Sequence, residues 1–239
     1  MSVFTFHLAE TSWLKGFQAL VLMRSVGQVD GLVHAEQMTG MTLGAPLISS
    51  KRILPNQIAV FAQWENEEAI DHFLRNHSLG KTLATGWHCR LRYVRQWGSM
   101  DAFSIPNKAE AEVADTDPVV AVTLARMKLF HVPRFLHWGR PAEKIVRDHP
   151  GITLALAAIR FPRTVSTFSV WKTQEEMIKM VHGHSQVPKP KRHSDAMKER
   201  DRKDFHFHFT TLRFKPLAEY GSWQGRSQII PGCPYRTLS

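Results

Sequence analysis

Residues 64–78, WENEEAIDHFLRNHS, align without a gap with residues 171–185, WKTQEEMIKMVHGHS. In each segment the tryptophan ends an apolar, strand-like run, QIAVFAQW before one and TVSTFSVW before the other. A glutamate follows four residues later, Glu68 and Glu175. Apolar side chains then fall at Ile70, Phe73 and Leu74 in the first copy and at Met177, Met180 and Val181 in the second. That spacing lines one face of a helix. Both segments close on His-Ser, His77-Ser78 and His184-Ser185. Such a match, with matching flanks, reads as an internal duplication.

Working outward from this anchor, the same element order occurs twice. The first copy predicts a strand over 2–7, a helix over 12–26 with Ser12 as its cap, strands over 33–43 and 57–64, a helix over 67–75 and a strand over 87–96. The second predicts a strand over 118–127 and a helix over 132–148, interrupted at Gly139-Arg140-Pro141. Strands over 152–161 and 165–171, helices over 174–182 and 194–203, and a strand over 207–214 follow. Each half is a β-α-β-β-α-β unit of the ferredoxin-like kind. A single unit leaves one sheet face uncovered, so two in tandem are expected to close sheet to sheet as a pseudo-dimeric α+β barrel. We assign 1–103 to the first repeat and 118–225 to the second. The polar, acidic stretch 104–117 is a linker and 226–239 a C-terminal tail. Residues 182–193, HGHSQVPKPKRH, fall in an insertion after the second repeat's helix, stiffened by Pro188 and Pro190.

The bulk properties narrow the classes. The chain has 239 residues, 43% hydrophobic and 22% charged, which suits a soluble globular fold. The first 25 residues lack a basic start, an apolar run and a small-residue cleavage site, so no secretory signal is expected. Cys89 and Cys233 form no CxxC pair, which argues against a disulfide framework or zinc ribbon and for a reduced, cytoplasmic setting. A net charge of +10 favours anionic partners: nucleic acid, lipid headgroups or a cofactor bearing propionates. The densest basic stretch, 189–203, is punctuated by Asp195, Glu199 and Asp201 and reads as a solvated helix. No RNP-like aromatic run occurs, so nucleic acid is not expected as a partner. There is also no Gly-rich phosphate loop, GxSxG elbow or HExxH motif, which leaves hydride transfer and hydrolysis without support.

Several runs resemble the spheroidene monooxygenase-like proteins of carotenoid biosynthesis. They are GITLALAAIRFPRTVSTFSVWKT (151–173), RHSDAMKERDRKDFHFHFTTLRFKPLAEYGSW (192–223), VAVTLARMKLFHVPRFLHW (120–138) and PNQIAVFAQWENEEAI (55–70). The resemblance covers most of 1–225. It implies an oxygenase that uses O2 on a long polyene, with haem as cofactor and an unspecified electron donor; the basic surface suits peripheral contact with an anionic membrane, where such a substrate would reside. It also places His193 at the start of the last helix. It carries the family's aromatic pair onto Phe205 and His206, where HFHF (206–209) replaces the family's acid. More loosely, Trp-x3-Glu…His in each repeat is similar to small antibiotic-biosynthesis-type monooxygenases and haem-degrading enzymes.

Haem iron takes a neutral imidazole. His193, His184 and His77 are the candidate ligands, each at a helix end, with a surface or capping role as the alternative for each. Arg92 and Arg213, in matched LRY and LRF strands, are candidate propionate partners, with Arg126 and Arg160 behind them; pairing with acids at a sheet edge is the alternative. His131, His137 and Trp138 could line the cavity or pack in the core. Trp64 and Trp171 are expected to be core residues. The HGH and HFH runs lack nearby Cys or carboxylate ligands at metal-site spacing. The expected function is oxygenation of a hydrophobic, carotenoid-like substrate; the rival is a non-catalytic barrel carrying haem or a lipophile.

Overall fold

The computed structural model describes residues 2–21, 29–45, 49, 52–128, 130, 141, 143–191, 194–198 and 206–238. The first half contains β1 (Val3–Glu10), α1 (Trp13–Val21), β2 (Leu32–Met41), β3 (Ile53–Trp64), α2 (Glu67–Asn76), α3 (Ser78–Ala84) and β4 (Trp87–Ser99). The second contains β5 (Val119–Met127), β6 (Ile152–Arg160), β7 (Thr164–Trp171), α4 (Gln174–His182) and β8 (His206–Gly221); a short β9 (Tyr235–Arg236) follows. Helical residues also occur at 143–148 and 194–198. The helix expected over 132–148 lies largely outside the described residues, and so does the end of the one expected over 194–203. His131, His137, Trp138, His193 and Phe205 are also outside them.

In each half the strands run in the order fourth, first, third, second: β4-β1-β3-β2 and β8-β5-β7-β6. This is the ferredoxin-like arrangement read from the duplication. The halves join along two seams. β4 pairs antiparallel with β8 from Trp87↔Gly221 to Ser99↔Phe209, and β2 pairs with β6 over Thr39↔Ile159 to Met41↔Ala157. The eight long strands thereby close into one antiparallel barrel. Strand β8 runs well past Phe214, where the expected strand ended. It accommodates Pro216 through an irregularity beside Arg90 and Leu91, which is where a strand tolerates proline.

Alternation decides what each face holds. Phe4, Phe6, Phe61, Trp87, Phe168, Leu212 and Phe214 point inward and fill the barrel. Phe6 of the first half and Phe168 of the second stack with centroids 3.8 Å apart, so the halves share one interior. Residues 223–233 close one mouth. Trp223, Ile229 and Ile230 join the core, and the buried Glu219 carboxylate accepts hydrogen bonds from Trp87 Nε1 (2.7 Å) and the backbone N–H groups of Ile229 (2.7 Å) and Ile230 (2.9 Å).

The two copies of the repeat begin alike and end differently. Asn66 and Thr173, each two residues past the tryptophan, cap α2 and α4 by accepting from Ala69 N and Glu176 N. Trp64 and Trp171 are both 1% exposed. Their indole N–H groups donate to Thr5 Oγ1 and Ser169 Oγ. At the far end α4 terminates on Gly183 in the left-handed region (φ 76°), whereas α2 runs on to Asn76 and hands over to α3, which the sequence reading left out. Gly80 permits that turn: a Cβ there would sit 2.0 Å from the Phe73 carbonyl oxygen.

Candidate functional site

With the barrel interior filled, ligands are left the outer faces, between sheet and helices. The ladder registers make the two faces directly comparable, because Val3↔Trp64 in the first half matches Val119↔Trp171 in the second.

On the second half, two rows of side chains cross the sheet. One runs Arg213, Ala121, Ser169, Ala155; the other runs Thr211, Thr123, Thr167, Ala157. Strand β4 extends both, setting Arg95 opposite Arg213 and Trp97 opposite Thr211. Ala121, Thr123, Ala155, Thr167 and Thr211 remain partly exposed. The Thr123 and Thr211 hydroxyls bond to each other at 3.1 Å. The result is a flat floor of small side chains, roughly 14 Å across four strands and about 7 Å between rows.

The equivalent rows of the first half read Arg90, Thr5, Ala62, Ala35 and His88, His7, Val60, Gln37. Here rings occupy the space. His7 stacks on His88 (4.8 Å) and His88 on Tyr220 (4.5 Å). His7 is 0% exposed and neither of its ring nitrogens has a protein partner. Burial, reinforced by the Arg90 charge, pushes its pKa down to about 3. Burial, with His7 and Arg90, likewise holds His88 well below the usual imidazole range. Both rings are therefore neutral packing groups.

The registers also correct a pairing made on the LRY and LRF strands. Arg213 is equivalent to Arg90, not to Arg92, since Ala121↔Arg213 corresponds to Thr5↔Arg90. Arg92 stands opposite Lys215 and lines a polar cleft of about 520 Å³ with Glu67, Asp71, Arg90 and Arg236. Arg92 and Arg213 thus occupy different points of the β4–β8 seam. Arg90 is neutralised by two carboxylates of α2, Glu67 at 2.6 Å and Asp71. Burial opposes its charge, but the hydrogen bonds and charges of Glu67, Tyr220 and Asp71 outweigh that and raise its pKa. Arg213 donates from Nη1 to the neutral Gln174 Oε1 at 2.9 Å, and its guanidinium lies 4.8 Å from the Trp97 ring, which Arg95 also approaches, at 4.6 Å. Burial and the Arg95 charge push Arg213 down to about 10.

The histidine candidates separate. His77 uses Nδ1 to accept from Leu79 N at the start of α3 and stacks on Phe73. In the neutral ring Nε2 then carries the proton, so ligation through Nε2 would require giving up the cap. His184 follows Gly183 and is exposed beside His182. His193 lies outside the described residues. Among the other arginines, Arg160 is held by Glu36 at 2.5 Å and Arg126 is exposed at the end of β5. Among the described residues no group of three or more His, Cys, Asp or Glu is placed to hold a metal ion.

The sequence reading overlooked His149, which is buried against Trp171 with Nε2 at 3.0 Å from Ser185 Oγ and Nδ1 accepting from Gly151 N. It also overlooked Arg95, Trp97 and the threonine row. Alternation in TVSTFSVW, which sets Thr167 and Ser169 on the face opposite Phe168, is the signal that marks the small-residue floor.

These residues suit a planar, largely apolar group carrying anionic substituents. The floor is flat and built of small side chains, Trp97 offers an aromatic edge, and two guanidinium groups stand at one side, neither ion-paired with a carboxylate among the described residues.

No family model matches the chain, and no curated protein matches it. Among solved structures the chain is similar to an aldoxime dehydratase (10% identity over 90% of this chain and 81% of that one, TM-score 0.48). It is similar also to a haem-degrading enzyme of Listeria monocytogenes (12%, 89% and 99%, TM-score 0.28) and to a monooxygenase-like protein of Listeria innocua (11%, 89% and 93%, TM-score 0.27). The fold assignment rests on the strand order and registers above, and these likenesses add nothing to it about chemistry.

Proposed function

We propose that the protein is a haem-dependent oxygenase that holds its cofactor on the outer face of the second half and acts on a hydrophobic substrate. The observation that carries this reading is the floor of Ala121, Thr123, Ala155, Thr167 and Thr211, where the first half is filled by rings. In this reading His193 would hold the haem iron; the family resemblance marks it, and in the sequence it directly precedes the helical residues 194–198. Bound haem supplies oxygen activation at its iron. The chain's own residues bind and orient: Thr123 and Thr211 shape the floor, and Trp97 walls one edge.

The substrate class is the long polyene implied by the resemblance. Two features support delivery from an anionic membrane surface, the net charge of +10 and the exposure of Trp13 (73%), Leu14 (68%) and Phe17 (55%) on α1. Among the described residues no helix is long and apolar enough to cross a membrane.

The test is a spectroscopic titration of the purified protein with hemin, beside a His193→Ala variant. The reading expects a sharp Soret band saturating at one haem per chain and altered in the variant. A band indifferent to His193 would move the ligand to another residue, and no specific band would end the haem reading. Oxygen consumption with a polyene and a reductant then separates an enzyme from a carrier that binds haem without turning over.

A further inference from the structure

The equivalence of Arg90 and Arg213 exposes a difference in charge that the fold does not require. Arg90 is held between Glu67 and Asp71 of α2. Counting from the tryptophans, the same two positions of α4 are Gln174 and Ile178. The second half has kept the arginine and replaced both of its acids. Gln174 still meets Arg213, but through a neutral oxygen, with its amide oriented by donation to the Val113 carbonyl (3.0 Å) and Asp115 Oδ1 (3.4 Å). No carboxylate among the described residues forms an ion pair with Arg213, and the charge that acts on it is a second guanidinium, Arg95. Nη1 is engaged, while the buried Nε has no protein partner. A half-buried, unpaired arginine is costly to keep unless an anion completes it.

We infer that Arg213, with Arg95 beside it, is the docking point for a carboxylate carried by the ligand of the second face. That carboxylate takes the place that Glu67 and Asp71 fill in the first half, while the ligand's apolar body lies on the alanine–threonine floor. The inference rests on that floor being the binding face. A haem propionate and the headgroup of a long-chain acid share this chemistry.

The experiment returns the missing acids. Gln174→Glu places a carboxylate where Glu67 stands, and Ile178→Asp supplies one from the next turn without disturbing the Gln174 amide. Wild type and both variants are titrated with hemin, with hemin dimethyl ester, which has no carboxylate, and with palmitate. The inference expects each variant to bind hemin about ten- to a hundredfold more weakly, as loss of a charge-assisted bond would give, with the ester bound equally by all three proteins. Equal hemin affinity in all three proteins overturns it, and so does a parallel loss for acid and ester, which marks a structural effect. If hemin fails to bind wild type while palmitate binds and is weakened in the variants, the carboxylate site stands and the haem reading falls. If neither acid binds wild type, the carboxylate site falls too.

Discussion

The two outer faces share strand order, register, tryptophan anchors and an arginine, yet they are finished in opposite ways. The first is closed: His7, His88 and Tyr220 stack across β1, β4 and β8, and Arg90 is paired with Glu67 and Asp71. The second carries Thr123 and Thr211 where the first has the histidines, and Gln174 and Ile178 where it has the acids. After a duplication one copy can serve stability while the other is released for binding. Side-chain volume and charge balance at equivalent positions are where such a division would be recorded.

Exchanging the faces residue by residue tests this division. The largest effect is expected from His7→Thr, which puts the second face's residue into the first. Removing a fully buried ring should cost about 3 kcal/mol, read from urea denaturation. A cost below about 1 kcal/mol would mean that the first face is not packed shut.

The arginines should respond unequally. Arg90→Met leaves Glu67 and Asp71 without their cation and is expected to cost about 2 kcal/mol, less than a fully buried pair because both carboxylates are about a third exposed. Arg213→Met, which removes a charge with no acid partner among the described residues, should be neutral or stabilising in the same assay. Equal losses would erase the distinction between the faces.

Acid should act through the first face. The unfolded chain protonates His7 near its ordinary pKa of 6.5, while the folded chain resists until about 3. Stability is therefore flat above about 6.5 and falls as the pH drops from there towards 3, by about 2 kcal/mol at pH 5 from this residue. His7→Leu should remove that part of the loss between pH 7 and pH 5, leaving the loss that comes from His88 and His149, whose pKa values burial also lowers.

The smallest expected change is in binding. Thr123→His gives the second face the first face's ring and should weaken hemin about tenfold, equivalent to roughly 1.4 kcal/mol, with little change in the denaturation midpoint. Undiminished affinity would place the ligand elsewhere.

Much of the fold was legible because its signals are local. The Trp-x3-Glu spacing, the helical repeat of Ile70, Phe73 and Leu74, and the caps at Asn66 and Thr173 all fall within a few residues of one another. The continuation of β8 through Pro216 was not legible, because the irregularity that tolerates the proline exists only in the pairing with β4. The His-Ser pairs looked equivalent, but Gly183 ends one helix in the left-handed region while His77 caps a new helix, so the two histidines point to different surroundings. The LRY and LRF match misled for a related reason. Similar triplets do not occupy equivalent points of the sheet when their registers differ by two residues, even though a two-residue shift keeps them on the same face.

The sequence by itself determined the duplication, the two β-α-β-β-α-β units and the buried tryptophans, since periodicity and capping are properties of neighbouring residues. Tertiary structure alone decided that the barrel interior is filled, that Arg213 answers to Arg90, and that the second face carries small side chains where the first carries rings. Those facts depend on which side chains strands distant in the chain bring opposite one another, and on whether a charge buried there meets an opposite charge.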